Sequence, residues 1–158
     1  MPETAAAPAD PGVGRVVDLL GGRSTFTRPF STPLEAHECI QQGFPSKSLL
    51  AFVTQFPTIG REDTIDKVVG VSLRTLQRHK KAGAKDRLSR DQSGKLYKAA
   101  EIVAKAVDVL GTSEAAERFL DEPAMALDGM RPIDLLSTPA GAELVEKHLG
   151  RLDYGVYT

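Results

Sequence analysis

Leu127-Asp128-Gly129-Met130-Arg131-Pro132-Ile133-Asp134-Leu135-Leu136-Ser137-Thr138-Pro139-Ala140-Gly141, continued by Leu149-Gly150-Arg151-Leu152-Asp153-Tyr154-Gly155-Val156, is the stretch that decides how this chain is read. Arg131-Pro132 puts proline near a helix start, where its missing N–H costs nothing, and Ile133, Leu135 and Leu136 give the short helix an apolar face. Thr138-Pro139 opens a second helix, capped by the threonine. Its apolar positions Leu144, Val145, Leu149 and Leu152 recur at helical spacing, so one stripe must be buried, against the body of the protein or against a partner. An aromatic tail broken by Gly155 follows.

Working back from there, Thr112-Ser113-Glu114 starts a helix whose Ala115, Ala116, Phe119 and Leu120 pack inward, and Glu122-Pro123 ends it. Asp91 to Leu110 is a long helix with Leu96, Ala99, Val103, Val107 and Leu110 on one side, the spine that joins the two halves of the chain. Before it, Glu62 to Val69 and Ser72 to Lys81 are two helical patterns separated by a tight Gly70-Val71 junction. Gly70 suits a left-handed turn residue, and Ser72 caps the helix that follows. Ile65, Val69, Val71 and Leu76 fill the small core of a helix-turn-helix.

The second of these helices exposes Arg74, Thr75, Arg78, Lys80 and Lys81, with Gln77 and His79 nearby. The major groove of DNA admits one helix, where Arg donates two bonds to a guanine edge while Ser, Thr and Lys hold phosphates. Ser72, Arg74, Thr75, Gln77, Arg78 and Lys81 are therefore the candidate DNA contacts. Two positions depart from the usual pattern: Asp66 stands where a helix-turn-helix has a small residue, and His79 where it has an apolar one. A surface helix hairpin with a basic face is the other reading of the same residues.

Nearer the start, Ser46 opens a helix carrying Leu49, Leu50, Phe52, Val53 and Phe56 that ends before Pro57. Thr32-Pro33-Leu34-Glu35 is a capping box with proline at the first helical position, predicting a helix from Pro33 to Gln42 that stops at Gly43. Residues 1–30 carry mainly Ala, Pro, Gly, Ser and Thr and read as a flexible arm. Val16-Val17-Asp18-Leu19-Leu20 interrupts it, either docking on the body or forming a transient turn that ends at Gly21-Gly22. No period-2 run of β-branched residues and no internal repeat occurs, so the chain is expected to be all-α. Three parts are expected: the arm over 1–30, a helical region over 31–110 with the helix-turn-helix at about 60–83, and a C-terminal module over 111–158.

A chain of 158 residues suffices for one ordinary core or two small ones. The net charge of −1 hides a polarity: Arg61 to Lys105 holds 12 Lys and Arg against 6 Asp and Glu, whereas Ala106 to Thr158 holds 4 against 10. The middle suits phosphates and the end suits a cationic partner, unless both are merely solvated helix faces. Cys39 is the only cysteine, which excludes an intramolecular disulfide and fits a reducing compartment. His37 and Cys39 point to different helix faces and make no nucleophile pair. The scattered His37, His79 and His148 have no metal-ligand spacing, and no cofactor is expected. The first residues lack the basic start and apolar run of a signal peptide, and no window is long and apolar enough for a membrane span, so a cytoplasmic protein without membrane contact is expected. The sequence carries no Gly-rich phosphate loop and no Ser/His/Asp pattern, and the acidic residues of its last third are spread over helix surfaces rather than paired around one basic or aromatic pocket, so no enzyme is expected.

The pattern Leu127-x-Gly129-x-x-Pro132-Ile133-Asp134-Leu135-Leu136, then Thr138-x-x-Gly141, then Leu149-x-x-Leu152-x-Tyr154-Gly155, resembles the toxin-binding domain of Xre/ParS-type antitoxins. Gly70-Val71-Ser72-Leu73-Arg74-Thr75-Leu76-Gln77-Arg78, followed by Leu88-Ser89 and the long helix, resembles the helix-turn-helix half of the same family, and together the halves span about residues 45–157. Phe119-Leu120 stands where the family often has Trp-Leu. The resemblance implies a type II antitoxin usually encoded beside a toxin with a RES domain, a fold similar to ADP-ribosyltransferases that consumes NAD. It implies neutralisation by direct contact, with the segment Arg151, Asp153, Tyr154, Gly155, Val156 and Tyr157 laid into or over the NAD pocket. Autoregulation through operator DNA, a homodimer and a larger toxin–antitoxin complex are implied with it. For Tyr154 two roles stand open: a toxin anchor, or a ring folded back on Leu149 and Leu152. A stand-alone repressor is the alternative function, and an adjacent reading frame for a RES-type toxin separates the two.

Overall fold

The computed structural model describes residues 8–82 and 85–155. Among them the chain is all-helical, in agreement with the patterning, and it contains no strand beyond two isolated bridges. The helices are α1 (Pro11–Leu19), α2 (Pro33–Gln42), α3 (Ser46–Gln55), α4 (Glu62–Val69), α5 (Leu73–Ala82), α6 (Arg90–Leu110), α7 (Ser113–Asp121), α8 (Pro132–Leu135) and α9 (Pro139–Asp153).

Their ends are set by residues legible in the sequence. Thr32, Thr112 and Thr138 cap α2, α7 and α9 by accepting from the backbone N–H three residues on. Ser89 and Gln92 close a reciprocal capping box on α6, which terminates at Gly111 in the left-handed conformation. α6 is the spine. It packs against α1, α2 and α4 as well as α7 and α9, with Leu96, Ala100, Val103 and Ala106 buried. The core runs without a break across the expected boundary after residue 110, from Val13 to Leu149.

The expected flexible arm is corrected over its described part, while residues 1–7 lie outside the described residues. Pro11–Leu19 is α1, capped by Asp10, whose Oδ1 accepts from Gly12 N at 2.8 Å and Val13 N at 3.2 Å. Val13, Val16, Val17 and Leu20 recur at the spacing i, i+3, i+4, i+7 and are all buried. A small-residue composition cannot order a backbone by itself, but one complete apolar stripe against α6 can. Beyond it, Phe26 and Phe30 meet Phe44 edge-on and stacked, at centroid separations of 5.5 and 5.9 Å, which anchors the connection into α2.

Candidate functional site

The α4–α5 pair forms as the sequence predicts, and its geometry follows from three residues. Gly70 has φ 77°, the left-handed conformation a tight inter-helix turn demands. Val71 is buried under the turn. Ser72 Oγ accepts from Thr75 N at 3.1 Å and donates to Thr75 Oγ1 at 2.9 Å, capping α5. Leu76 and His79 turn inward. Arg74, Gln77, Arg78 and Lys81, again at i, i+3, i+4 and i+7, form one exposed stripe on the opposite side. Among the described residues no carboxylate pairs with Arg74, Arg78, Lys80 or Lys81. Of the six candidate DNA contacts, four are thus free side chains on one face, Ser72 is engaged as the cap, and Thr75 is half-buried and bonded to it.

The two departures from the helix-turn-helix pattern have physical explanations. Asp66 is exposed and points to solvent, so α5 does not require a small residue there. His79 is 4% exposed and buries a polar ring because it has partners. Its Nδ1 lies 3.0 Å from Ser46 Oγ and is hydrogen-bonded to Asp86, to which Ser46 Oγ also donates at 3.1 Å. The His79 bond, with help from Ser46, holds the Asp86 carboxyl below its ordinary range. These three residue types invite comparison with a hydrolase triad, but both partners meet the same ring nitrogen and Nε2 is buried without a partner. No proton relay runs through such a ring. The cluster ties the start of α3, the end of α5 and the segment beyond it together, and sequence spacing gave no sign of it.

On its other side α4 meets the C-terminal module through ion pairs. Arg131, the residue before the proline of α8, donates from Nε to Asp134 Oδ2 at 2.9 Å and from Nη2 to Asp134 Oδ1 at 3.0 Å. Its Nη1 reaches Asp121 Oδ1 at 3.0 Å, where Arg61 also pairs, and Lys67 of α4 reaches Asp134 at 3.4 Å. The hydrogen bond from Arg61 and the one from Arg131 hold the Asp121 and Asp134 carboxyls, respectively, below the usual carboxylate range. The sequence pattern assigns Arg131 and Asp134 to a motif but does not disclose this junction with α4.

The C-terminal module is built on a close contact. A Cβ at Gly141 would stand 2.0 Å from the Leu135 carbonyl oxygen, so only glycine lets α9 start against α8. Val145 and Leu149 are buried and Leu152 is half-buried, whereas Leu144 is 52% exposed and does not belong to the stripe. Phe119, in the place of the family's tryptophan, stacks on His148 with centroids 5.6 Å apart. Burial, and then Arg151, lowers the His148 pKa. Tyr154 follows the last turn of α9 and is 85% exposed, so its ring does not fold back on Leu149 and Leu152. Arg151, Asp153 and Gly155 are exposed beside it; Val156 and Tyr157 lie outside the described residues.

Among the described residues no group of His, Cys, Asp and Glu is placed to hold a metal ion, and no helix is long and apolar enough to cross a membrane.

Comparison with known proteins matches these two regions. Residues 35–101 fit the antitoxin Xre-like helix-turn-helix domain, and residues 105–155 fit the antitoxin Xre/MbcA/ParS C-terminal toxin-binding domain. The chain is 22% identical over 129 residues to Antitoxin Xre of Photorhabdus laumondii, covering 81% of this chain and 84% of that one. It is 28% identical over 131 residues to Antitoxin Xre of Pseudomonas putida, covering 79% of this chain and 75% of the relative. A helix-turn-helix with a free cationic stripe, joined through α6 to a helical toxin-binding module, makes this chain a member of the non-enzymatic Xre/MbcA/ParS family of type II antitoxins.

Proposed function

We propose that this antitoxin neutralises a RES-domain toxin that degrades NAD, and that it does so by laying the segment from Arg151 to Tyr157 into or over the NAD pocket. The observation that carries the reading is the position of Tyr154: a large ring, 85% exposed, held at the end of the rigid α9 within the toxin-binding domain. A ring with a polar tip fills a ligand-sized cleft, and it loses little freedom on binding because the helix has already placed it. A pocket that receives a diphosphate is basic. Asp153 and the acidic excess of the C-terminal module complement it.

The second activity is repression of the antitoxin's own operon through α5, with Arg74, Gln77, Arg78 and Lys81 facing the major groove and Ser72 and Thr75 at its edge. Recognition by a helix-turn-helix uses two copies one turn of DNA apart, so the working species is a dimer that enters a larger complex with toxin. A protein with operator DNA and an NAD-consuming enzyme as its partners works in the cytoplasm.

The deciding experiment removes Arg151 to Thr158 and measures NAD turnover by the co-expressed toxin. The truncated protein loses the last three residues of α9 and the packing of Leu152, but should keep nearly all its helical content and its DNA binding while releasing NAD degradation. Full inhibition by the truncated protein means that neutralisation works elsewhere on the module.

A further inference from the structure

Between α7 and α8 the chain makes a small hairpin. Ala124 and Met130 pair across it as an isolated antiparallel bridge, with Ala124 N donating to Met130 O at 3.1 Å. Gly129 N donates back to Ala124 O at 2.9 Å, and Leu127 N, Asp128 N and Met130 N each donate within the same seven residues. Asp128 has φ 56°, the only non-glycine residue in the left-handed region among those described. Leu127 is 8% exposed and pins the hairpin to the core, where its turn packs against α9. The backbone is therefore fixed on both sides of Met125. That side chain is 93% exposed, the most exposed large apolar group among the described residues, and Met130 beside it is 47% exposed.

An apolar side chain in water is ordinary on a surface, but one displayed from a turn held by five backbone hydrogen bonds is pre-organised for contact. Ordering a floppy loop would offset most of the gain from burying it, and here that ordering is already done. Methionine adapts its unbranched thioether to an irregular apolar cleft. Glu122 and Asp128 flank it, both exposed and in no ion pair among the described residues, and no Lys or Arg lies between Asp121 and Met130. The receiving surface is thus an apolar cleft with a cationic rim.

We propose that Met125 is a second toxin anchor, seated in an apolar, basic-rimmed cleft of the toxin outside the NAD pocket. The inference rests on the proposed neutralisation of a toxin. The hairpin lies inside the matched toxin-binding region, and the exposed Glu122 and Asp128 beside Met125 call for cations on the surface that covers it. Tyr154 would then block the reaction, while Met125 would contribute affinity without touching the pocket.

The test is oxidative footprinting of the full chain, free and in the complex co-purified with the product of the adjacent reading frame. Hydrogen peroxide converts an exposed Met to its sulfoxide, which mass spectrometry reads residue by residue. Met125 should oxidise readily in the free protein and at least tenfold more slowly in the complex. In parallel, Met125→Glu should weaken the complex at least tenfold with no change in thermal unfolding, and the toxin should still be inhibited once the variant is supplied in excess. Equal oxidation of Met125 in a stable complex overturns this inference and leaves the neutralisation reading intact. Failure of the unmodified chain to form any complex overturns both. Protection of Met125 in the free protein that rises with its concentration means that a second copy covers it, which also overturns the inference.

Discussion

Arg131 holds Asp134 at two points, 2.9 and 3.0 Å, and with a third nitrogen reaches Asp121 at 3.0 Å, so a single guanidinium joins the end of α7 to the start of α8. Arg61 and Lys67 bring α4 into the same cluster. The helix-turn-helix and the toxin-binding module are thereby locked together through charge as well as through α6.

This cluster makes stability depend on acid in a stated direction. Asp121 and Asp134 have pKa values lowered in the folded protein, so the unfolded chain binds more protons on the acid side. Their contribution is complete above the unfolded carboxylate value of about 3.9 and is lost as pH falls through the lower folded values. Arg131→Ala should cost about 1 kcal/mol at neutral pH, since the groups are partly exposed and solvent screens them. It should also flatten the dependence of stability on pH below about 4. Urea unfolding at pH 7 and at pH 3 measures both; an undiminished acid slope in the variant would show that the pairs carry none of it.

Replacing Arg74 and Arg78 together removes two adjacent cations of the α5 stripe. Operator binding should be abolished at moderate salt, and any residual binding should show a salt slope smaller by about 0.9 for each phosphate that is no longer neutralised. Both side chains are exposed and pair with no carboxylate among the described residues, so unfolding and toxin neutralisation should not change. Wild-type DNA affinity at all salt concentrations would remove α5 from the DNA interface.

Much of this was legible from local chemistry. Thr32, Thr112 and Thr138 announced helix starts, and Gly43 and Gly70 announced ends, because caps and positive-φ turns are decided within a few residues. The α5 stripe was legible for the same reason. What stayed hidden joins residues far apart in sequence: Ser46 with His79 and Asp86, or Arg61 with Asp121 and Arg131. No periodicity reports such pairs. The N-terminal segment is a different case, since its signal was present. Val13, Val16, Val17 and Leu20 form a complete stripe behind an Asp10-Pro11 cap, but a composition averaged over thirty residues dilutes four apolar side chains among small ones.

That segment should behave as core. Leu20 is fully buried, and Leu20→Ala should destabilise the whole protein by about 2–5 kcal/mol in chemical denaturation. A flexible arm would show no effect.

Tyr154→Ala separates a binding role from a structural one. The ring is 85% exposed and follows the last turn of α9, so its removal takes almost no burial from the fold, and the unfolding midpoint should stay within error of wild type. If the ring is a central anchor in the toxin, the same change costs about 2 kcal/mol of binding, roughly a thirtyfold weaker complex. DNA affinity, which we propose rests on α5 in the other half of the chain, should not move. Titrating the toxin's NAD turnover with wild-type and variant protein measures the shift directly. An unchanged inhibition curve would assign the tail's work to other residues, and a lowered melting point would mean that the ring supports α9.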